Sequence, residues 1–477
     1  MVAACLAAVF LTGGAAIGAI AFDRISADSL RTNIVWLAAD QRAGRMTPSE
    51  GLEASADYLA AQFRMAGLEP GGVEGTFFQT AAFTQTTPAT QRPGDFRMTL
   101  VSGSRRTSVG GNSVSVRSLE ALDFQAETIV RLPVGTGSVP MPVVEGRVVA
   151  GDETQDTDAR LHALEALKPA LILLVFAGPR PDAGPRPKEA DVPVLMDTDP
   201  SIPPVIRIYS RTVAVLLASR NELRLTLHLA APARHDVSLR NVVGMLTGSD
   251  PAVSDQFVIL SAHYDHLGKR PPGPGNRIYH GANDNASGDA SLIEIAKALA
   301  ADPHPRRSVL FLALFGEEED LLGSAFYVRH PLVPLALTIA DINLEQLGRT
   351  DSSDGPEIGR FAFTGAAYSN LPQIVSPAAK TAGVTVYRKE TSGDYFDRSD
   401  NYSFALAGVV AHTIVVGFEF ADYHEVSDEA WKLDYRNLAR VDRGIAAGVA
   451  AVANADEAPK WSDAKGARIY RDTAGGH

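Results

Sequence analysis

After Asn241 the chain repeats one pattern, a short apolar run followed by a loop and a helical stretch. The runs are NVVGMLTG, FVILSA, SVLFLALF, TIADINL and VVAHTIVV, with helical periodicity over Ala290–Ala300 and Gly323–Arg329. Apolar strands alternating with helices predict an α/β fold, with a mainly parallel central sheet covered by helices on both faces. In such sheets functional groups gather at the carboxyl ends of the strands. The residues that follow each run are therefore the place to look for chemistry.

Five islands between His263 and His424 carry histidine and carboxylate, three of them directly after such runs. They are His263 and Asp265 in SAHYDHLG, Asp284 in GANDNASG, Glu317 and Glu318 in FGEEEDLLGS, Glu345 in NLEQLGR, and His424 in DYHEVSD. Each has an ordinary structural explanation: a core histidine, a turn that caps a helix, a solvated acidic run. Position argues otherwise, because three acidic residues directly after an apolar strand are poorly placed for a solvated face. Asp265 also shares a side with His263 in an extended segment, where a carboxylate can orient an imidazole. Zinc takes imidazole and carboxylate ligands, and two ions about 3.5 to 4 Å apart can activate one water and polarise one carbonyl. Neither HExxH nor GxSxG occurs, which removes thermolysin-like and serine-hydrolase readings.

In this order, the words HxD, GAxDNxSG, EExxLLGS, NLE and YHxxSD resemble the M28 family of zinc aminopeptidases. The resemblance implies two zinc ions per chain, one on His263, Asp284 and Glu345 and the other on Asp284, Glu318 and His424. Asp284 then gives one oxygen to each ion and precedes a cis peptide bond. Aligning Leu321–Ser324 with the family word LLGS makes Glu317 the general base and Glu318 a ligand. Asp265 becomes the carboxylate behind His263, and Asp428 is available as a supporting carboxylate near His424. Glu345 departs from the aspartate more usual in the family, and Asp341, earlier in the same strand, is the competing candidate.

RSDNYSF at Arg398–Phe404 resembles the family's RSDHxxF with Asn401 in place of histidine, and Tyr395 before it is a candidate for stabilising the oxyanion. His266, His280 and His412 match no ligand position and read as structural or rim residues. The implied function is removal of N-terminal residues from peptides with a free amino terminus. A carboxypeptidase or a glutaminyl cyclase on a related scaffold is the alternative, and a non-catalytic receptor-like module is another.

The rest of the chain bounds this reading. At 477 residues two domains are expected. A net charge of −12 argues against a nucleic-acid partner. The one cysteine, Cys5, lies in the apolar leader MVAACLAAVFLTGGAAIGAIA, so thiolate zinc sites are excluded. The leader reads as an export signal for residues 1–21, which places the protein in the periplasm or outside the cell. Membrane association is expected only if Cys5, in a lipobox-like VAAC, is lipidated or the leader is retained.

Helical periodicity over Ile25–Leu68 resembles the start of M28 domains that carry an insertion, and residues 22–119 are assigned to the peptidase. Residues 120–238, rich in short strands, resemble an inserted protease-associated domain. Residues 239–455 hold the catalytic domain, and from Asp456 the sequence reads as a frayed tail over 456–477.

Overall fold

The computed structural model describes residues 22–474 except 88, 91–93, 133–142, 153–160, 162, 163, 179–193, 198–201, 220 and 354. The leader with Cys5 therefore lies outside the described residues, as does nearly all of the loop GPRPDAGPRPKEADVP. Two compact units divide the chain: residues up to Thr80 together with Arg240 onward, and Ala81–Leu239.

In the first unit Ser308–Leu314, Phe257–His263, Thr338–Glu345 and Ala411–Val415 lie side by side and parallel. Their side chains are buried on both faces, which is why they read as unbroken apolar runs. Antiparallel strands flank them, Ala233–Leu246 beside Ser308–Leu314 and Arg360–Phe363 beside Ala411–Val415. From Phe257–His263 the chain passes to Ser308–Leu314 on one side. From Thr338–Glu345 it passes to Ala411–Val415 on the other. That reversal opens a crevice between the carboxyl ends of the two neighbours, where His263 and Glu345 are the last residues.

Helices cover the sheet. Ser26 caps Ala27–Leu37 by accepting from Ser29 N at 3.1 Å, and Ser49 caps Glu50–Met65 in the same way through Leu52 N. Gly67 follows the second helix at φ +86°, a conformation glycine adopts without strain. Ser287–Ala300 is buried along most of its length, and Tyr435–Asn454 packs against it and against Leu371–Thr381. None of the helices among the described residues is long and apolar enough to cross a membrane.

The second unit begins at Ala81, earlier than the expected 120. The reason is strand pairing: Phe96–Ser102 and Arg105–Val109 belong to one antiparallel sheet with Leu223–Leu229 and Leu122–Thr128. A second sheet runs Val114–Arg117, Val205–Tyr209, Leu171–Phe176, Val148–Asp152 and Val130–Arg131. Leu223, Leu225, Leu227 and Leu229 pack with Met98 and Leu100 and, from the other sheet, with Leu173, Val175, Ile206 and Ile208. The expected helix near Arg160–Leu167 lies partly outside the described residues.

The frayed tail is overturned for residues 456–474. Trp461 Nε1 donates to Gly408 O at 3.0 Å, and Tyr470, 8% exposed, stands 5.1 Å from the ring of Phe396. Two isolated aromatics anchor this segment without creating any periodicity.

Candidate metal centre

His263 ends its strand with its ring fully enclosed. Its Nε2 lies 3.1 Å from Glu345 Oε1, 3.4 Å from Asp284 Oδ1 and 3.9 Å from Glu317 Oε2. Asp265 Oδ1 faces the other ring nitrogen at 3.5 Å, too long for a good hydrogen bond but on the expected side. Asp265 is itself fixed, accepting from Thr47 Oγ1 at 3.1 Å and from the backbone N of Glu317 at 3.1 Å. It thus ties the histidine to the turn that carries the glutamates.

Asp284 points one oxygen each way. Oδ1 faces His263, while Oδ2 lies 3.2 Å from His424 Nε2. The Asp284–Asn285 peptide is cis. The surrounding word GANDNASG is a clamp on the next strand end rather than only a turn. Asn285 Nδ2 donates to Leu344 O at 2.8 Å, Asn285 Oδ1 accepts from Gln346 N, and Asn283 Oδ1 accepts from Gly348 N at 2.8 Å. Asp428 accepts from the backbone N of Asn283 and of Asp284 at 3.0 Å, so it supports the Asp284 loop.

Glu317, Glu318 and Glu319 form a single turn after Gly316, which takes φ +69°. Glu318 Oε2 lies 3.4 Å from His424 Nε2, and Oε1 lies 2.8 Å from His266 Nδ1. The two neighbouring glutamates are driven apart in acidity. Burial pushes Glu317 well above the usual carboxylate range, against the opposing charge of His263. For Glu318 burial acts in the same direction, but hydrogen bonds from His266 and His424 prevail and hold it at about 2.

Glu345 faces His263 with Oε1 and accepts from Ser399 Oγ at 2.8 Å with Oε2. Asn343 Nδ2 in turn donates to Ser399 at 2.8 Å. Asp341, the competing candidate, is instead paired with Ser261 Oγ at 2.7 Å, four residues deeper in the strand. His424 has a left-handed backbone at φ +56° and stacks on Tyr423 with ring centroids 3.9 Å apart.

The structure thus brings together His263, Asp265, Asp284, Glu317, Glu318, Glu345 and His424. It gives Tyr395 a different engagement, since the hydroxyl donates to Glu419 and the ring packs on Phe418. His280 pairs with Asp40 and His412 is held between Ser369 and Thr364, as structural residues would be. His266 departs from that expectation, because it sits against Glu318 and within 4.0 Å of Asp284. Ser399 and His266 are the two contacts that sequence reasoning missed. Serine in RSDN carries no ligand signal, and His266 lies past the strand end, where alternation no longer says which way a side chain faces.

Tetrahedral zinc ligands at about 2.0 to 2.2 Å from the ion lie roughly 3.3 to 3.6 Å from one another. His263 lies at 3.1 and 3.4 Å from Glu345 and Asp284, near that spacing, and His424 lies at 3.2 and 3.4 Å from Asp284 and Glu318. Among the described residues, the donor groups whose atoms all lie within 4.8 Å of one another are His263, Asp284 and Glu345, and His266, Asp284 and Glu318. In the latter group the 2.8 Å contact of His266 is a hydrogen-bond length and its 4.0 Å contact is long, so we favour His424 at this position. Asp284 Oδ2 is buried without a hydrogen bond of good geometry, as suits an oxygen that a cation would satisfy.

Comparison with known proteins gives the following similarities. Residues 241–449 match the model of peptidase family M28. The chain is 26% identical over 424 residues to the probable lipoprotein aminopeptidase LpqL of Mycobacterium tuberculosis, an alignment covering 83% of this chain and 75% of that one. It is 26% identical over 243 residues to aminopeptidase YwaD of Bacillus subtilis, covering 49% of this chain and 50% of that one. Among solved structures, an aminopeptidase from Aneurinibacillus sp. strain AM-1 covers 90% of this chain and is itself covered to 94%, with a TM-score of 0.48 and 17% identity. The segment 241–449, which holds His263, His424, Asp284 and the paired glutamates Glu317 and Glu318, is the part of this chain that matches peptidase family M28.

Proposed function

We propose that this protein is an exported dizinc aminopeptidase that removes N-terminal residues from peptides with a free amino terminus. The observation that carries the reading is Asp284, whose Oδ1 lies 3.4 Å from His263 beside Glu345 and whose Oδ2 lies 3.2 Å from His424, itself 3.4 Å from Glu318. The first three would hold one zinc ion, and Asp284 with Glu318 and His424 the other. Bound there, zinc polarises a carbonyl and lowers the pKa of a water. Glu317 belongs to neither donor group, and its Oε2 lies 3.9 Å from His263 Nε2; it would take the proton from the attacking water and return it to the leaving amine. Asp265 keeps His263 and the Glu317 turn in mutual register. Tyr395 serves the oxyanion only by exchanging its bond to Glu419.

Relatives named aminopeptidase and probable zinc metalloprotease support the chemistry, and the lipoprotein name of one supports export. The test is zinc per chain by elemental analysis, combined with rates on aminoacyl chromogenic amides and on matched N-acetylated peptides. Two ions are expected, with cleavage of free amines and none of acetylated ones. Equal rates on free and blocked peptides would point to an endopeptidase or a carboxypeptidase. Full activity after exhaustive chelation would overturn the metal chemistry altogether.

A further inference from the structure

We infer that His266 is a positioning residue for Glu318: its Nδ1–H holds the oxygen that faces away from His424, and so sets the metal affinity of that half of the centre without ligating the ion. The inference rests on the dizinc reading and adds a residue to which that reading gives no task.

Glu318 is engaged at both ends, with Oε2 toward His424 at 3.4 Å and Oε1 against His266 Nδ1 at 2.8 Å. A carboxylate held by one oxygen keeps the other aimed, and supporting hydrogen bonds of this kind typically change metal affinity by about 10- to 100-fold. The tautomer follows from the surroundings. His266 Nε2 is buried and meets no partner, so placing the proton there would bury an unpaired donor and turn a lone pair toward an anion. The proton on Nδ1 avoids both.

The ring has no freedom to leave this position. It is fully buried, and a Cβ added at Gly281 would stand 2.5 Å from its Cδ2. The His266 backbone N donates to Arg45 O at 3.2 Å. The Arg45 guanidinium in turn grips the carbonyls of His280 and Gly281 at 2.8 and 2.9 Å. The backbone that cages the ring and the backbone that carries it are therefore fastened to the same residue.

Three variants test this. Asparagine and glutamine differ in where they place an amide N–H, so His266→Asn restores a donor near the Nδ1 position, His266→Gln carries it toward Nε2, and His266→Leu has none. Zinc dissociation constants are measured by competition with a chromophoric chelator, and Co²⁺ spectra report the coordination of each half. One of the two ions should bind about 10- to 100-fold more weakly in the Gln and Leu variants, with the Asn variant near wild type and the other ion unchanged in all three. Cobalt spectra should keep the wild-type band positions in the Asn variant. Unchanged affinity in the Gln variant would overturn the inference, as would an Asn variant that loses the ion with a changed cobalt spectrum, the outcome expected of a lost ligand. Wild-type protein that binds a single ion would instead overturn the dizinc reading beneath it.

Discussion

His263 and Glu345 stand at the ends of adjacent parallel strands, enclosed by the sheet, whereas Glu318 and His424 stand on a single turn and a loop, and the His424 side chain keeps 26% of its surface exposed. In the first half of the centre the backbone ladder itself sets the distance between the donor groups. In the second half side chains must do so. His266 holds Glu318, and the His424 loop is braced through Asp422, which accepts from Arg349 and Lys432 at 2.7 Å and from Ser427 at 2.5 Å. A site can thus draw half its geometry from strand register and borrow the other half from ion pairs.

The largest expected effect separates the two halves from the group between them. Glu317→Gln should lower kcat by about 10² to 10⁴ while both ions stay bound. Glu318→Gln should weaken one ion, because a neutral amide replaces an anionic ligand. Zinc content and kcat measured together decide the matter, and zinc lost from the Glu317 variant alone would place Glu317 inside a half and shift the register by one residue.

Next in size are the histidines. His263→Ala and His424→Ala should each remove one ion and cut activity by about 10²- to 10³-fold, on the several kcal/mol a Lewis-acid ion supplies. They should differ in rescue. Added imidazole should restore activity to His424→Ala, whose site opens to solvent, and not to His263→Ala, whose site is closed. Rescue of both would erase the contrast between an enclosed half and an open one.

A smaller effect follows from the brace. Asp422→Ala should weaken the second ion by about 10-fold and leave the first unchanged, measured by chelator competition. Equal weakening of both would mean that the loop and the sheet are not independent.

The smallest tests the sheet. Burial pushes His412, on Ala411–Val415, down to about 4, against the hydrogen bond to Thr364 O. A histidine whose folded value lies below its unfolded value of about 6.5 contributes stability above that pH, and the contribution is lost as pH falls from 6.5 toward 4. Between pH 7.5 and 5.5 the loss should be about 1 kcal/mol, read by urea unfolding, and His412→Gln should remove that part of the slope. A slope unchanged in the variant would show that His412 is not what titrates.

The sheet half was legible in the sequence because strands buried on both faces announce themselves as apolar runs and because ligands follow their ends. His263, Glu317 and Glu345 are visible on those grounds. His424 follows no such run closely and was found through a resemblance of words. The braces were illegible for a common reason: Ser399, His266 and Asp422 act through contacts whose partners lie 54, 52 and 73 residues away. The start of the inserted unit was misjudged likewise, since only the pairing of Phe96–Ser102 with Leu223–Leu229 shows where Phe96 belongs.

Arg45 is wholly buried, and its guanidinium donates to the carbonyls of Leu37, Tyr264, His280 and Gly281. This has a practical consequence for anyone trimming the protein. The segment 241–449 that carries the family match excludes the residue on which the backbone around His263 and Asp284 is hung. Expressed alone, it would expose a row of carbonyls without a donor and set the bridging loop adrift, so a minimal soluble enzyme must keep the amino-terminal helices even though they contribute no ligand.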